Sequence, residues 1–310
     1  MRPGAARERL RHWRIPRIGK LRQHSPEPLR IPRRQLRVRR PADAPSISIV
    51  TPSFNQGEML ERTIRSVTGQ GYPRLEYVVQ DGGSTDETAA VLERCRPLLS
   101  SYESTADDGQ GDAINRGFAK TSGEIMAWLN SDDVLLPGAL DAVARHFTRN
   151  PETDVVYGHR ALIDADDRQI GAWILPRHRD WPLGLVDAVP QETMFWRRRI
   201  WDAAGGHIDT SFRFAIDWDL ILRFREARAR FVRLPYVLAG FRVHDAQKTI
   251  SQAGLGAEEA DRLRARVHGR PMPHDEAWAL MTPYLRRHVA AHTLHRLAMR
   301  IPLLRAQIEL

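Results

Sequence analysis

Short apolar runs alternate along this chain with polar turns and with segments whose apolar residues recur at helical spacing. Apolar, β-rich runs at 47–50, 75–79 and 125–129 each end abruptly in a cluster of polar and turn-forming residues. The segment 57–68, between the first two runs, carries its apolar residues about one helical turn apart, which predicts a helix. This order of strand, loop and helix predicts an α/β fold with a mainly parallel central sheet flanked by helices.

The second half of the chain has shorter and less regular elements. We predict further strands at 98–103, 154–157 and 237–243, a hairpin over 163–173, and helices over 112–120 and 220–224. From about residue 256 the pattern is helical to the end, and prolines at 271, 273 and 283 are expected to interrupt it. The segment 289–310 mixes apolar residues with arginines and histidines. This favours a helix docked on the domain or on a second subunit, with binding to a membrane surface as the alternative.

The composition is that of a globular protein without disulfides. The chain has 310 residues, 42% of them hydrophobic, which is enough for one large α/β domain with extensions or for two modest domains. A single cysteine, Cys95, excludes an internal disulfide framework and fits a reducing compartment. No apolar run is long enough to predict a transmembrane helix, and no apolar core follows the charged N-terminus as in a secretory signal. We therefore expect a cytoplasmic protein.

The positive net charge of +9 belongs to an N-terminal arm. Residues 1–40 hold fourteen Arg or Lys residues against two glutamates, a net charge of +12, so the remainder carries −3. Five prolines between residues 26 and 45 predict that the arm, residues 1–45, is extended or disordered. Apolar residues such as Trp13 and Ile15 lie among the cations, which favours peripheral contact with an anionic membrane, at its inner face, over nucleic acid. A solvated tail is the alternative.

Two adjacent carboxylates, Asp132 and Asp133, follow the apolar run 125–129. Open α/β sheets bind ligands at the carboxyl ends of their strands, and Asp81, which follows the run 75–79, should converge on the same edge. Hard oxygen ligands of this kind suit magnesium or manganese that bridges phosphates. The same cluster is also ordinary turn and helix-capping chemistry, so this motif alone leaves both interpretations open.

Six motifs occur in an order that resembles one known family. They are Thr51–Asn55, Asp81–Asp86, Gly109–Gly117, Asn130–Asp133, Ala215–Asp219 and Arg242–His244. Together they resemble the family 2 glycosyltransferases, which have the GT-A fold. The resemblance implies a GT-A domain over 46–250 that transfers a sugar from a nucleotide-diphosphate donor with inversion of its anomeric configuration. Residues 251–310 lie outside the resemblance, and their pattern predicts a helical extension. The resemblance also implies Mn²⁺ or Mg²⁺, a UDP-sugar as the first candidate donor, and a glycan or lipid-linked acceptor in cell-surface polysaccharide synthesis.

The resemblance assigns donor binding to residues that follow the predicted strands. These residues are Pro52, Phe54, Asn55, Asp81, Asp108, Asp112 and Asp132. Phe54 would offer an apolar face to a flat base, or it would be a core aromatic. Asp112 begins a predicted helix and could simply cap it. Gly82 stands where many family members have a second acid, so the identity of the nucleotide stays open.

The resemblance assigns metal binding, catalysis and acceptor binding to other residues. Asp133 would bind the ion that bridges the diphosphate, and His244 would contribute to the metal or the diphosphate. Asp217 would be the general base that takes the proton from the incoming hydroxyl group. Asp219 is the competing candidate for the base. Because residues two positions apart on a helix face different directions, only one of the two acids should point into the site. Gln191 and Glu192 would line the acceptor pocket.

Two other classes of function fit the sequence less well. A sugar nucleotidyltransferase would need a glycine-rich, basic phosphate loop after the first strand, where this chain has Thr51–Asn55. A nucleic-acid-binding protein could use the basic arm, but the remainder of the chain carries −3 and has no basic stripe. We therefore expect a metal-dependent glycosyltransferase that binds no nucleic acid.

Overall fold

The computed structural model describes residues 23–244 and 253–310, which form an α/β fold around one large sheet. The strands are β1 (Arg30–Pro32), β2 (Ile47–Ser53), β3 (Leu75–Asp81), β4 (Ser101–Ser104), β5 (Ile125–Trp128), β6 (Val134–Leu135), β7 (Val155–Ile163), β8 (Gln169–Trp173), β9 (Phe195–Arg197), β10 (Phe231–Arg242) and β11 (Arg305–Gln307). The helices are α1 (Gly57–Thr68), α2 (Thr88–Cys95), α3 (Gln110–Phe118), α4 (Ala139–Arg149), α5 (Arg198–Ala203), α6 (Ile216–Glu226), α7 (Ala253–His268) and α8 (His274–Met299).

The sheet has the strand order β4-β3-β2-β5-β9-β7-β10-β6, with β8 paired to β7. Strands β4, β3, β2 and β5 are parallel to one another, as the alternating pattern predicts. Antiparallel β9 then joins β5 to β7, so the second half of the sheet is mixed. All seven residues of β2 are buried, which is the environment that a continuous β-branched run requires.

Successive residues of β2 face opposite sides of the sheet, and each side has its own core. Ile49 packs with Leu60 and Ile64 of α1, whereas Val50 belongs to the core on the opposite face. On that second face, a Cβ atom at Gly117 would approach Val50 Cγ1 to 2.4 Å. Helix α3 therefore lies so close to β2 that only glycine fits at this position.

The N-terminal arm corrects one prediction, because its second part is folded. Residues 1–22 lie outside the described residues, but Leu29 and Ile31 are buried against β6, β7 and β10. The Gln35 side chain is also buried; its Oε1 accepts Val237 N at 2.9 Å and its Nε2 donates to Val237 O at 2.8 Å. Gln35 thus pairs with Val237, where the register between β10 and β7 shifts. The prediction of disorder is therefore wrong for residues 23–45. Gln35 hydrogen-bonds the backbone groups of Val237 at this irregular point of β10, and Leu29 and Ile31 cover an apolar face.

The C-terminal segment docks on the domain, as one of the two sequence interpretations predicts. Helix α8 buries Met281, Tyr284 and Leu285 in the core, and within the segment 289–310 the ring centroid of His295 lies 6.3 Å from that of His159. Pro283 lies inside this helix, so the break expected there does not occur. After α8, strand β11 pairs with β1 and links the two ends of the chain. Among the helices in the described part of the chain, none has the length and hydropathy needed to span a membrane.

Candidate functional site

The loops that carry the donor-side motifs meet at one edge of the sheet. Parallel pairing sets Ser53 of β2 opposite Asp81 of β3, and Val50 opposite Trp128 of β5. The turns that follow these strands therefore begin at the same edge. This arrangement confirms the expectation that Asp81 converges with the loop that contains Asp132 and Asp133.

Asp81 is buried and organises the loop that follows it. Its Oδ2 atom accepts hydrogen bonds from Ser84 N at 2.9 Å and from Ser104 Oγ at 2.6 Å, while its Oδ1 accepts Ser84 Oγ at 2.5 Å. Asn55 joins the neighbouring loop to this one, since Asn55 N donates to Ser84 Oγ at 2.7 Å and Asn55 Oδ1 accepts Thr85 N at 2.9 Å. The two loops thus form one hydrogen-bonded unit.

Phe54 is the aromatic residue on this edge, and it is 62% exposed. The interpretation of Phe54 as a core residue is therefore wrong. Asn55, next in the chain, has a left-handed backbone with φ of 52° and turns the chain away from β2. Pro52 is buried within the strand. A cavity of about 400 Å³ lies between this turn and His244, with Arg62 also in its lining.

Asp107, which sequence reasoning missed, lies closer to the site than Asp108. A Cβ atom at Gly82 would come within 2.9 Å of Asp107 Oδ2, so this carboxyl group occupies the space beside Asp81. Burial raises the pKa of Asp107 despite the hydrogen bond from Gly109 N. Asp108 is exposed. The signal for Asp107 was Gly82 itself, because the missing second acid leaves room for a carboxyl group from elsewhere.

Asp112 behaves as an acid at the start of helix α3. Its Oδ2 atom accepts Asp108 N at 3.1 Å and lies 2.7 Å from Arg116 Nη2. These contacts are those of the capping interpretation. A donor-binding role for Asp112 stays a prediction, as it does for Asp108.

The acidic pair at the end of β5 is held by β10. Asp133 is buried, and its Oδ1 accepts Arg242 N at 3.0 Å. Burial and the charge of Asp132 raise the pKa of Asp133 well above its usual range. Asp132 is partly exposed, and its Oδ2 lies 3.1 Å from His244 Nε2. The structure therefore brings Asp132, Asp133 and His244 together, as the motifs imply.

The fully buried Arg242 connects this pair to the β7–β8 turn. Its Nε donates to Asp132 O at 2.9 Å, and its Nη1 lies 2.5 Å from Asp167 Oδ1. Arg62 of α1 reaches the same turn, donating to Ala165 O at 2.6 Å and to Asp167 Oδ2 at 3.1 Å. Two arginines from distant parts of the chain thus fix the wall beside the acidic pair.

Gln191 and Glu192 lie in a short turn between the acidic pair and the second half of the sheet. Gln191 Nε2 donates to Trp128 O at 2.8 Å. Glu192 is buried in a bidentate ion pair with Arg160, with Nε–Oε1 and Nη2–Oε2 distances of 2.7 and 2.8 Å. The Arg160 guanidinium carbon lies 4.8 and 4.6 Å from the rings of Trp173 and Phe241. Glu192 is therefore rigidly held.

Glu192 is also within electrostatic range of a second group of acids, Asp187 and Asp217. Burial raises the pKa of Glu192, with a further rise from Asp217, and Arg160 opposes both effects. Burial and then the charge of Asp217 raise the pKa of Asp187 well above its usual value. Glu192 also contributes to the raised pKa of Asp133. Asp217 and Asp133 are therefore both within electrostatic range of Glu192, and Asp187 is a second residue that the motifs did not indicate.

Asp217 and Asp219 differ sharply in their surroundings. Asp217 is half-buried in the first turn of α6, where its Oδ1 accepts Trp218 N at 2.8 Å. Asp219 is fully buried, with Oδ2 at 2.8 Å from Arg223 Nε and Oδ1 at 2.6 Å from Arg266 Nη1. Both oxygens of Asp219 are therefore engaged in ion pairs inside the protein, whereas Asp217 is partly exposed.

Glu259 of α7 fixes the segment that leads to Asp217. Its carboxylate accepts backbone N–H bonds from Arg213, Phe214 and Ala215 at 2.8–2.9 Å. Burial would raise the pKa of Glu259, but these three bonds outweigh it and lower the pKa. Sequence reasoning had no signal for this contact, since Glu259 lies far along the chain.

Open α/β sheets bind ligands at the carboxyl ends of their parallel strands, and this protein has its acids at that edge. The model of glycosyl transferase family 2 matches residues 48–212, more than half of the chain, and the chain belongs to this family. An uncharacterised glycosyltransferase of Mycobacterium tuberculosis is 33% identical over 187 residues, which are 58% of this chain and 69% of the relative. The O-antigen biosynthesis protein RfbC of Myxococcus xanthus is 30% identical over 246 residues, 77% of this chain and 19% of RfbC.

Two solved structures have the same fold. TarS of Staphylococcus aureus, in complex with UDP-GlcNAc, superimposes with a TM-score of 0.60 at 17% identity, covering 83% of this chain and 76% of TarS. A mannosyltransferase of Pyrobaculum calidifontis, in complex with GDP-Man and Mn²⁺, gives a TM-score of 0.58 at 17% identity, covering 96% of this chain and 84% of the mannosyltransferase. The protein is therefore a glycosyltransferase with the GT-A fold, which confirms the family and the fold that the motifs predict.

Proposed function

We propose that this glycosyltransferase moves a sugar, with inversion, from a nucleotide-diphosphate donor to a glycan or lipid-linked acceptor, with Asp217 as general base. The observation that carries the proposal is that two acidic groups on different elements both lie within electrostatic range of the buried Glu192. Asp132 and Asp133 follow the central strand β5, and Asp217 lies in the first turn of α6. A donor diphosphate and an acceptor hydroxyl group need these two separate positions.

Asp133, Asp132 and His244 are the residues that would hold Mn²⁺ or Mg²⁺. Their chemistry fits, because Asp133 is a buried carboxyl group beside a second acid, and Asp132 Oδ2 lies 3.1 Å from His244 Nε2, so oxygen and nitrogen donors are grouped there. Within residues 23–244 and 253–310, no three acidic, histidine or cysteine side chains form a complete ligand set. Phosphate oxygens and water would complete the shell. The ion would neutralise the charge that develops on the leaving diphosphate.

Asp217 acts on the acceptor. It takes the proton of the acceptor hydroxyl group as that oxygen bonds to the anomeric carbon of the sugar. The bond between this carbon and the phosphate oxygen breaks, and its electron pair leaves with the nucleoside diphosphate. Attack opposite the leaving group inverts the anomeric configuration. Glu192, held by Arg160, and Gln191 would line the acceptor side of this site.

Phe54 and the hydrogen-bonded loops of Asn55 and Asp81 would hold the nucleoside. The exposed Phe54 ring offers a face on which a base can stack. A UDP-sugar is the first candidate donor, and the UDP-GlcNAc complex of TarS supports it. The GDP-Man complex of the mannosyltransferase keeps the guanine nucleotide as the alternative.

The acceptor and the cellular location complete the proposal. The likeness to an O-antigen biosynthesis protein supports an acceptor in cell-surface polysaccharide synthesis. Such acceptors are built at membranes, and the net charge of +12 over residues 1–40 supports peripheral contact with the anionic inner face. We retain 46–250 as the catalytic domain and 251–310 as its helical extension, with residues 23–45 packed on the domain.

A donor screen tests the proposal directly. Thermal shift with Mn²⁺ and a panel of UDP-, GDP- and dTDP-sugars should reveal one donor that stabilises the protein only with the metal. Asp133→Ala should abolish both this shift and sugar transfer. Asp166→Ala, at an exposed acid in the β7–β8 turn, is the matched control and should retain both. Full transfer by Asp133→Ala would refute the metal assignment, and a product with retained anomeric configuration would refute the displacement.

A further inference from the structure

An apolar surface with arginine borders lies on the outward side of the C-terminal half of α8. Leu294, Leu297 and Ile301 are 68%, 53% and 49% exposed. The turn that follows the helix adds Leu303, at 78%, and Leu304, at 48%. We call these five residues the α8 surface. They are close in sequence, and none of them belongs to the hydrophobic core of the domain.

The helix geometry places the α8 surface opposite the side that packs on the domain. The packed side carries His288, whose ring centroid lies 6.3 Å from that of Trp173, and His295. At about 100° per residue, Leu297 and Leu294 lie about 180° and 240° around the axis from His288. The same rotation continues to about 220° at Ile301, just after the helix ends. The three apolar residues therefore point away from the protein.

Arginines border this surface on both sides, and acids are absent from it. Arg286 and Arg300 lie about 160° and 120° around the axis from His288, and Arg287 about 260°. All three are exposed. From residue 277 to residue 308 the sequence contains five arginines and no Asp or Glu. An outward apolar stripe between rows of cations is typical of helices that lie in a membrane interface.

The arm extends the positive charge. Arg33 N donates to Leu304 O at 2.9 Å, and Arg33 Nε donates to Arg305 O at 3.2 Å. The strand pair β1–β11 therefore sets basic residues of the arm directly beside the α8 surface. Residues 28–40 contain six arginines and no acid. Apolar and cationic groups from both ends of the chain thus meet on one surface.

We propose that the α8 surface docks on an anionic lipid bilayer. Its apolar residues would enter the interface, and its arginines would contact anionic headgroups. A second copy of this chain is a poorer partner, because a symmetric contact would oppose identical rows of arginine, and residues 277–308 contain no Asp or Glu that could pair with them. This inference does not depend on the donor or the acceptor, since its test measures binding alone.

Cosedimentation of the full chain with vesicles tests the proposal. The protein should bind vesicles of phosphatidylcholine with 30% phosphatidylglycerol, and binding should weaken in 0.5 M salt. Leu294→Gln/Leu297→Gln/Ile301→Gln should lower the partition coefficient roughly 100-fold while leaving the melting temperature unchanged, because these side chains are exposed. Leu98→Gln, at a 40% exposed leucine outside the surface, should bind as the unmodified protein does. Unchanged partition of the triple variant would overturn the proposal and would assign membrane binding to the arm.

A site-specific probe gives an independent answer if the triple variant misfolds. The only native thiol, Cys95, is buried, so Leu297→Cys and Leu98→Cys can each be labelled at one exposed position. A polarity-sensitive fluorophore at position 297 should shift to the blue on anionic vesicles, and one at position 98 should not. A shift that depends on protein concentration without vesicles would show self-association instead and would overturn the proposal.

Discussion

Asp219→Asn should destabilise the fold, whereas Asp217→Asn should impair only the chemistry. Asp219 is fully buried between Arg223 and Arg266, at 2.8 and 2.6 Å. Neutralising it leaves two guanidinium groups beside an uncharged amide. Breaking a buried ion pair costs about 3–5 kcal/mol. Because Arg266 is about a third exposed, we expect about 2–4 kcal/mol of unfolding free energy to be lost.

Calorimetry and steady-state kinetics separate the two acids. A loss of that size lowers the melting temperature of a chain this large by roughly 3–6 °C. Asp217→Asn should melt within about 2 °C of the unmodified protein, because the amide oxygen can still accept Trp218 N. Loss of a general base should reduce kcat on the order of 10²- to 10⁴-fold, with donor binding unchanged. Asp219→Asn, assayed well below its melting temperature, should retain most of its turnover.

Arg223→Gln provides the control for the ion pair. It should destabilise the protein as Asp219→Asn does, and the double variant should lose less than the sum of the two. If Asp219→Asn melted normally yet lost turnover, the roles of Asp217 and Asp219 would have to be exchanged. Full turnover by Asp217→Asn would show that Asp217 is not the general base.

Three further predictions concern the donor edge and the C-terminal helix. Asp107→Asn should weaken donor binding about tenfold or more in titration calorimetry, whereas Asp108→Asn, at the exposed neighbour, should leave donor binding unchanged. The reverse result would restore Asp108 as the donor contact. Phe54→Ala should weaken donor binding about tenfold without changing stability, and equal donor affinity would exclude base stacking. Burial, then His292, lowers the pKa of His288 to about 4, and burial does the same at His295. The unfolded state therefore binds more protons than the folded state between pH 6.5 and 4, so the free energy of unfolding, measured by urea melts, should fall as the pH drops through this range. His288→Gln/His295→Gln should flatten this dependence on pH, and an unchanged slope would contradict the assignment.

The donor edge was predictable because parallel strands leave little freedom. Once the runs at 47–50, 75–79 and 125–129 are strands, the polar residues that follow them must meet at one edge. The bounds of these strands differ from the predicted ones by at most three residues. What the pattern could not supply was side-chain direction. Asp107 and Asp108 are chemically identical neighbours, and only the space above Gly82 distinguishes them.

The disorder predicted for residues 23–45 of the arm was wrong because composition outweighed pattern. Its prolines and arginines indicated disorder, yet the buried Leu29 and Ile31 lie on either side of the partly exposed Arg30, as in a short strand. The partner of β1 is β11, more than 270 residues further along the chain. No local signal reports a pairing at that separation. Pro32 is accommodated because it lies at the end of a short strand in a two-stranded sheet.

The motifs identify residues that could touch ligands, and they miss the residues that hold them. Arg242 fixes the acidic pair, Glu259 fixes the segment before Asp217, and Arg160 holds Glu192. Each contact joins residues at least 32 positions apart, and each buries a charge that would be unfavourable without its partner. Such contacts depend on the finished fold, so a motif cannot encode them locally. A site built from separate loops keeps its geometry only because these buried charges allow few alternative arrangements of the loops.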